Sequence, residues 1–150
     1  MDGLMKTLTD YMVHARTTKL PEEVTVKGKH HILDTLAAIV SGVALPPGEL
    51  ALKYVQSQGG MEEAQVITTP ILTTAVNAAM ANAFFAHADE TDDSHAASGT
   101  HPGCSIVPAA LAMAERGNVS GERLLNSVVL GYAMCARVMP TMSSKFSRKA

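Results

Sequence analysis

Ala75-Val76-Asn77-Ala78-Ala79-Met80-Ala81-Asn82-Ala83-Phe84-Phe85-Ala86-His87 is small and apolar almost without interruption, then gives way to Ala88-Asp89-Glu90-Thr91-Asp92-Asp93-Ser94-His95. With Thr69 read as a cap and Pro70 at the first helical position, the pattern predicts a helix from Ile71 to about His87. Ala75, Ala78, Ala79, Ala81, Ala83 and Ala86 leave nearly its whole surface small. Such a helix suits burial on several sides. Residues 88 to 100 then have loop composition, with four carboxylates followed by Ser, Ala and Gly.

Working outward, Ala64 to Ile67 reads as one short strand, and Glu49 to Gln58 as a helix closed by Gly59-Gly60. Pro46-Pro47-Gly48 reads as the stop of a long helix. That helix opens at Pro21, with Glu22 and Glu23 in the first turn where carboxylates complement the dipole. Val24, Ile32, Leu36, Ile39 and Val43 share one of its faces. A short amphipathic helix covers Leu4 to Arg16 and ends at Thr17 and Thr18. Beyond the polar break, apolar periodicity resumes at Ile106. That helix runs to Glu115 and ends at Gly117; Ser120 caps another from Gly121 to Val138, and Pro140 terminates it. The expected fold is therefore all-α, a helical bundle over residues 1-140. Residues 141-150 form a basic tail in which Lys145, Arg148 and Lys149 are solvated.

The chain has 150 residues, enough for one domain, and 47% of them are apolar. Aromatic residues make up only 4%, without Trp, so the core must be packed from Ala, Leu, Val, Ile and nine Met. A net charge of −2 with scattered Lys and Arg leaves no electrostatic footprint for nucleic acid. Cys104 and Cys135 are too few for a disulfide framework and lie in no zinc spacing, which fits a cytoplasmic protein. The longest apolar stretch, Ile32 to Leu45, contains Asp34, Ser41 and Gly42 and falls short of the roughly 20 residues needed to span a bilayer, so no membrane role is expected.

Chemistry concentrates in the polar break. His87, Asp89, Glu90, Asp92, Asp93, Ser94, His95 and His101 fall within fifteen positions between two apolar helices. Charges at such a junction are costly unless they are solvated or serve a site. Pro102 and Gly103 read as a turn just before a helix, which sets His101 beside its positive end and favours a neutral imidazole. A neutral imidazole can take a proton, and the helix terminus at Gly103 can hold a substrate carboxylate through backbone N–H groups. Asp89-Glu90-Thr91-Asp92-Asp93 also reads as a variant of an aspartate-rich Mg²⁺ box, but diphosphate chemistry needs basic partners and a second acidic box, and these residues supply neither. The spaced Asp and Gly of an EF-hand are missing too, so no metal and no cofactor is expected. Cys104 has no adjacent base in sequence and there is no GxSxG elbow, so it reads as a small packing residue rather than a nucleophile.

The stretch His87 to His95, followed by His101-Pro102-Gly103, resembles the HALDFDDTH…HP[GS] signature of the MmgE/PrpD (2-methylcitrate dehydratase) family. His31-Ile32-Leu33-Asp34-Thr35-Leu36-Ala37 resembles its LDTLG-like helix, Ala78 to Phe84 its AxxNG-like approach, and Pro108 to Glu115 its PALLALAE helix. The likeness extends from about residue 20 to about residue 138. It implies a two-domain enzyme, with a helical domain and a smaller α/β domain, that acts without metal on small di- or tricarboxylates by dehydration, decarboxylation or epimerisation.

By the same resemblance the catalytic aspartate falls on Glu90, the paired acidic residues on Asp92 and Asp93, the active-site threonine on Ser94 and the catalytic histidine on His101. This sequence departs from the signature at Asp89, Glu90, Thr91 and Ser94, which makes the site more polar and its acid one methylene longer. The expected activity is elimination of water from a β-hydroxy acid, with His101 as acid or base. Glu90 and Asp93 would position or relay protons, and Ser94, His95, Asp92 and Gly103 would bind substrate. A decarboxylase or epimerase on the same scaffold, or a non-catalytic helical subunit, are the alternatives. No cation flanks residues 87 to 103, and Arg116 is the nearest one following them, a helix away. The expectation is a portion of the helical domain without the α/β lid. A second polypeptide in an oligomer would then supply the remaining helices, the lid and the active-site Lys and His.

Overall fold

The computed structural model describes residues 3–139, and in it the alanine-rich stretch is a helix over Ala75–Ala86. Among the described residues there are six α-helices: α1 (Gly3–Ala15), α2 (Glu22–Gly42), α3 (Pro46–Gln58), α4 (Ala75–Ala86), α5 (Pro102–Gly117) and α6 (Gly121–Val138). Between α3 and α4 lie two-residue strands, β1 (Ala64–Gln65) and β2 (Leu72–Thr73). The fold is all-α, as the periodicity predicts. Pro140 and the basic tail lie outside the described residues.

α4 is the central element, packed against α2, α3 and α5. Ala78, Ala81, Phe85 and Ala86 are fully buried there, with Ile39 of α2, Val55 of α3 and Ala112 of α5 in the same core. Small side chains allow this crowding, because neighbouring helix axes can approach closely only where Cβ atoms are few or short. The tightest approach is Gly42, whose absent Cβ would run into the carbonyl oxygen of Phe85. α2 therefore crosses the end of α4 just where the polar loop begins. Burial of Phe85 and Ile39 contributes about 1.5–3 kcal/mol each.

Four local expectations shift, each for a visible reason. Leu72-Thr73 pairs antiparallel with Ala64-Gln65, so the Thr69-Pro70 segment turns a hairpin instead of opening the helix. Thr74 caps α4, its Oγ1 accepting from the Asn77 N–H at 3.3 Å. Asn82, buried inside α4, fastens the hairpin: its Nδ2 donates to the Gln65 carbonyl at 3.0 Å and its Oδ1 accepts from the Ile67 N–H at 2.9 Å. Pro46 and Pro47 start α3 rather than ending α2, because Pro costs nothing in a first turn whose N–H groups are unpaired anyway. Pro21 occupies the cap position rather than the first helical one. Likewise Pro102 and Gly103 lie inside the first turn of α5, with His101 at the cap. Ser120 caps α6 as read, accepting from the Arg123 N–H at 3.3 Å. No single helix among the described residues is long and apolar enough to cross a membrane.

Candidate active site

α4 ends at His87 and α5 starts after His101, and the loop between them folds back so that both imidazoles meet. The loop closes through the His95 N–H, which donates to the Thr100 carbonyl at 2.8 Å. Its outer edge is tied to α2, where the Ser41 hydroxyl donates to Asp89 Oδ2 at 2.6 Å. That bond, with a second from Thr91, holds the Asp89 carboxyl below its ordinary range. The ring centroids of His87 and His101 are 5.1 Å apart in an edge-on arrangement.

Asp92 lies between the two rings. Its side chain is fully buried, with Oδ1 3.0 Å from His87 Nδ1 and 3.5 Å from His101 Nδ1. Its other oxygen, Oδ2, is buried and has no hydrogen-bond partner among the described residues. A carboxylate facing Nδ1 favours the tautomer that carries its proton there, which leaves Nε2 with the lone pair. The two histidine side chains are 47% and 41% exposed, enough for their outer nitrogens to meet a substrate. Cys104, in the first turn of α5, is also beside Asp92. Burial first, then the Asp92 carboxylate, pushes its thiol up to about 12. It stays protonated at neutral pH.

Asp93 turns the other way, into the helices. Its Oδ1 accepts from the Gly103 N–H at 2.8 Å, and its Oδ2 accepts from the Tyr132 hydroxyl at 2.7 Å and lies 2.9 Å from His31 Nδ1. Burial, and then Asp93, raises the Tyr132 phenol well above its usual range. Gly103 is required here for space. A Cβ at that position would stand 2.6 Å from Thr35 Oγ1, 2.7 Å from Asp93 Oδ1 and 2.9 Å from the Tyr132 hydroxyl. So Asp93 pins the first turn of α5 to α2 and α6, and with it the cap residue His101.

Of the residues singled out from sequence, His101, Asp92, Asp93 and Gly103 come together. The Gly103 N–H is engaged by Asp93. Glu90 and Ser94 are exposed on the loop, and Glu90 has a left-handed backbone at φ 56°, uncommon for a residue with a side chain. His95 is exposed as well and meets Ser98 Oγ at 2.7 Å through Nδ1. His31, Tyr132 and Thr35 were missed as site residues, and His87 was noted only as a member of the cluster. One signal did exist for Tyr132, because a phenol within an apolar helical run needs a polar partner when buried.

Arg116 does not reach the site. It sits in the last turn of α5, roughly 20 Å along the axis from His101, and pairs with Glu63 at 3.3 Å. Lys27 lies on the Asp93 side. One turn before His31 on α2, it lines a cavity of ≈ 490 Å³ together with His31 and Tyr132.

Fold and site together define an all-α domain that presents an imidazole–carboxylate centre at a helix N-terminus. The family model of the MmgE/PrpD N-terminal domain matches residues 6–149, and the chain belongs to the MmgE/PrpD family. It is similar to a cis-aconitate decarboxylase of Aspergillus terreus, 28% identical over 144 residues, which cover 91% of this chain and 29% of that protein. A cis-aconitate decarboxylase-like protein of Aspergillus oryzae is 28% identical over 142 residues, 90% of this chain and 30% of that protein. The chain thus spans about three tenths of the length of these relatives. No solved structure gives a significant match.

Proposed function

We propose that this domain supplies the acid–base half of a lyase site for a small di- or tricarboxylate, and that the reaction is loss of water from a β-hydroxy acid. The observation that carries the reading is the pair of imidazoles on one buried carboxylate oxygen, His87 at 3.0 Å and His101 at 3.5 Å. Elimination needs a base for the proton next to the carboxylate and an acid for the departing hydroxyl. Two imidazoles 5.1 Å apart can serve both needs, one neutral as the base and the other as an imidazolium that gives up its outer proton, with His101 at the reacting centre and His87 beside it. Asp92 holds the inner nitrogen of His87 by a hydrogen bond and faces that of His101, which aims the outer ones. Cations for the substrate carboxylates, including a lysine, would come from polypeptide beyond these residues, in an oligomer.

The test uses the complete enzyme, this chain with the polypeptide that completes it. His101→Ala is expected to lower turnover by about 10²–10⁴-fold, the usual worth of one positioned acid–base group, with helical content unchanged. Undiminished turnover would remove His101 from the mechanism. Decarboxylation is the second reading, favoured by the similarity to the two fungal relatives, a cis-aconitate decarboxylase and a cis-aconitate decarboxylase-like protein. It breaks a carbon–carbon bond, releases carbon dioxide and delivers a proton to the carbon left behind, where dehydration removes one. Supplying candidate acids and following carbon dioxide against water loss separates the two.

A further inference from the structure

His87, Asp92 and Cys104 each offer one ligand atom within 4.8 Å of the others. We infer that this corner is a site for a borderline-soft divalent cation of the Zn²⁺ or Co²⁺ class, held by the His87 imidazole, the Asp92 carboxylate and the Cys104 sulfur. The donor set selects the metal. Mg²⁺ and Ca²⁺ need several oxygen ligands, and only one carboxylate is present, whereas mixed nitrogen, oxygen and sulfur donors suit zinc and its neighbours. A second observation points the same way. Asp92 Oδ2 is a buried carboxylate oxygen without a hydrogen-bond partner among the described residues, which is costly unless something positive comes to it.

The fit needs little motion. Tetrahedral zinc with bonds of about 2.0–2.3 Å sets its ligand atoms roughly 3.4–3.8 Å apart, so closing around an ion moves the outermost ligand by on the order of 1 Å. His87 Nδ1 already stands 3.0 Å from Asp92 Oδ1, and its half-exposed side chain has room to adjust. Binding exchanges the thiol proton for the metal: the S–H bond breaks, a sulfur–metal bond forms, and the proton leaves to buffer. Three protein ligands leave a fourth position for water. The inference stands on this geometry whatever reaction the family site performs. Its consequence for the lyase reading is inhibition, since an ion here takes Asp92 and His87 away from His101.

The metal-free chain, kept reduced with a phosphine, is titrated with CoCl₂ and followed by absorption. One equivalent is expected to give a thiolate-to-cobalt charge-transfer band, which Zn²⁺ abolishes by competition and Mg²⁺ leaves unchanged. Cys104→Ser should remove the band, and His87→Ala should weaken binding by at least about 10–100-fold. Cys135→Ser should keep both band and affinity, and circular dichroism checks that each variant is folded. Absence of the band in the parent chain, or its survival in Cys104→Ser, overturns the site. Both outcomes are independent of any activity measurement.

Discussion

Asp92 has one oxygen shared between two half-exposed imidazoles and another with no hydrogen-bond partner among the described residues. Asp93, its neighbour, engages both oxygens with three groups from three different helices: His31 of α2, Gly103 of α5 and Tyr132 of α6. The two residues are chemically identical, so the difference is entirely one of surroundings. A carboxylate with both oxygens engaged is an anchor, because every partner it loses costs stability. A carboxylate with a free buried oxygen is held at a cost by the rest of the fold, which is how reactive or ligand-binding groups are commonly kept.

The largest effect that can break this contrast is on turnover. Asp92→Asn keeps the shape and removes the charge that orients both rings, so the complete enzyme should lose at least about 10²-fold in kcat. Its thermal midpoint should move less than that of Asp93→Ala, because Oδ2 has no bond to lose and the one hydrogen bond weakened, at Oδ1, is to a half-exposed imidazole. Asp93→Ala should do the reverse in rank. Loss of a carboxylate that accepts from Gly103 and Tyr132 should cost about 1.5–3 kcal/mol in urea unfolding. Activity should fall only as far as His101 is misplaced. If the two variants exchanged signatures, with Asp92→Asn unfolding and Asp93→Ala merely inactive, the assignment of anchor and reactive carboxylate would be inverted. A smaller effect sharpens the anchor: Tyr132→Phe should cost about 1–2 kcal/mol alone and much less on top of Asp93→Ala, since both remove the same bond.

The part of this contrast that sequence reveals is set by how local each cause is. The all-α fold is legible because Ala75, Ala78 and Ala81 repeat at helical spacing, and Ser120 marks a start by its own cap. The polar break and His101 are legible because seven titratable residues cannot all be core. The hairpin is not, since strands of two residues carry no period, and Thr69 and Thr74 are equally good caps on paper. Neither is the divergence of Asp92 from Asp93, which depends on the path of the loop backbone, including the left-handed turn at Glu90. His31 and Tyr132 enter the site from distant helices, and only packing of α2 and α6 around α5 brings them to it.

The smallest effect separates the two corners by pH. Cys104, on the Asp92 side, has its thiol raised from 9.0 to about 12, and Tyr132, on the Asp93 side, has its phenol raised from 10.0. In each case the folded state holds the proton more tightly than the unfolded chain. The stabilisation is therefore whole below the unfolded value and is lost as pH climbs toward the folded one. Between pH 9 and pH 10 only Cys104 is in its window; above pH 10 Tyr132 joins it. Both groups are partly solvated, so each loss should stay under about 1 kcal/mol. Urea unfolding at half-unit steps from pH 8 to pH 11 reads it out. Cys104→Ser should flatten the decline that begins near pH 9, and Tyr132→Phe only the steeper part above pH 10. If Cys104→Ser leaves the early decline unchanged, the thiol is not buried against Asp92, and the reactive corner is more open to water than the anchor.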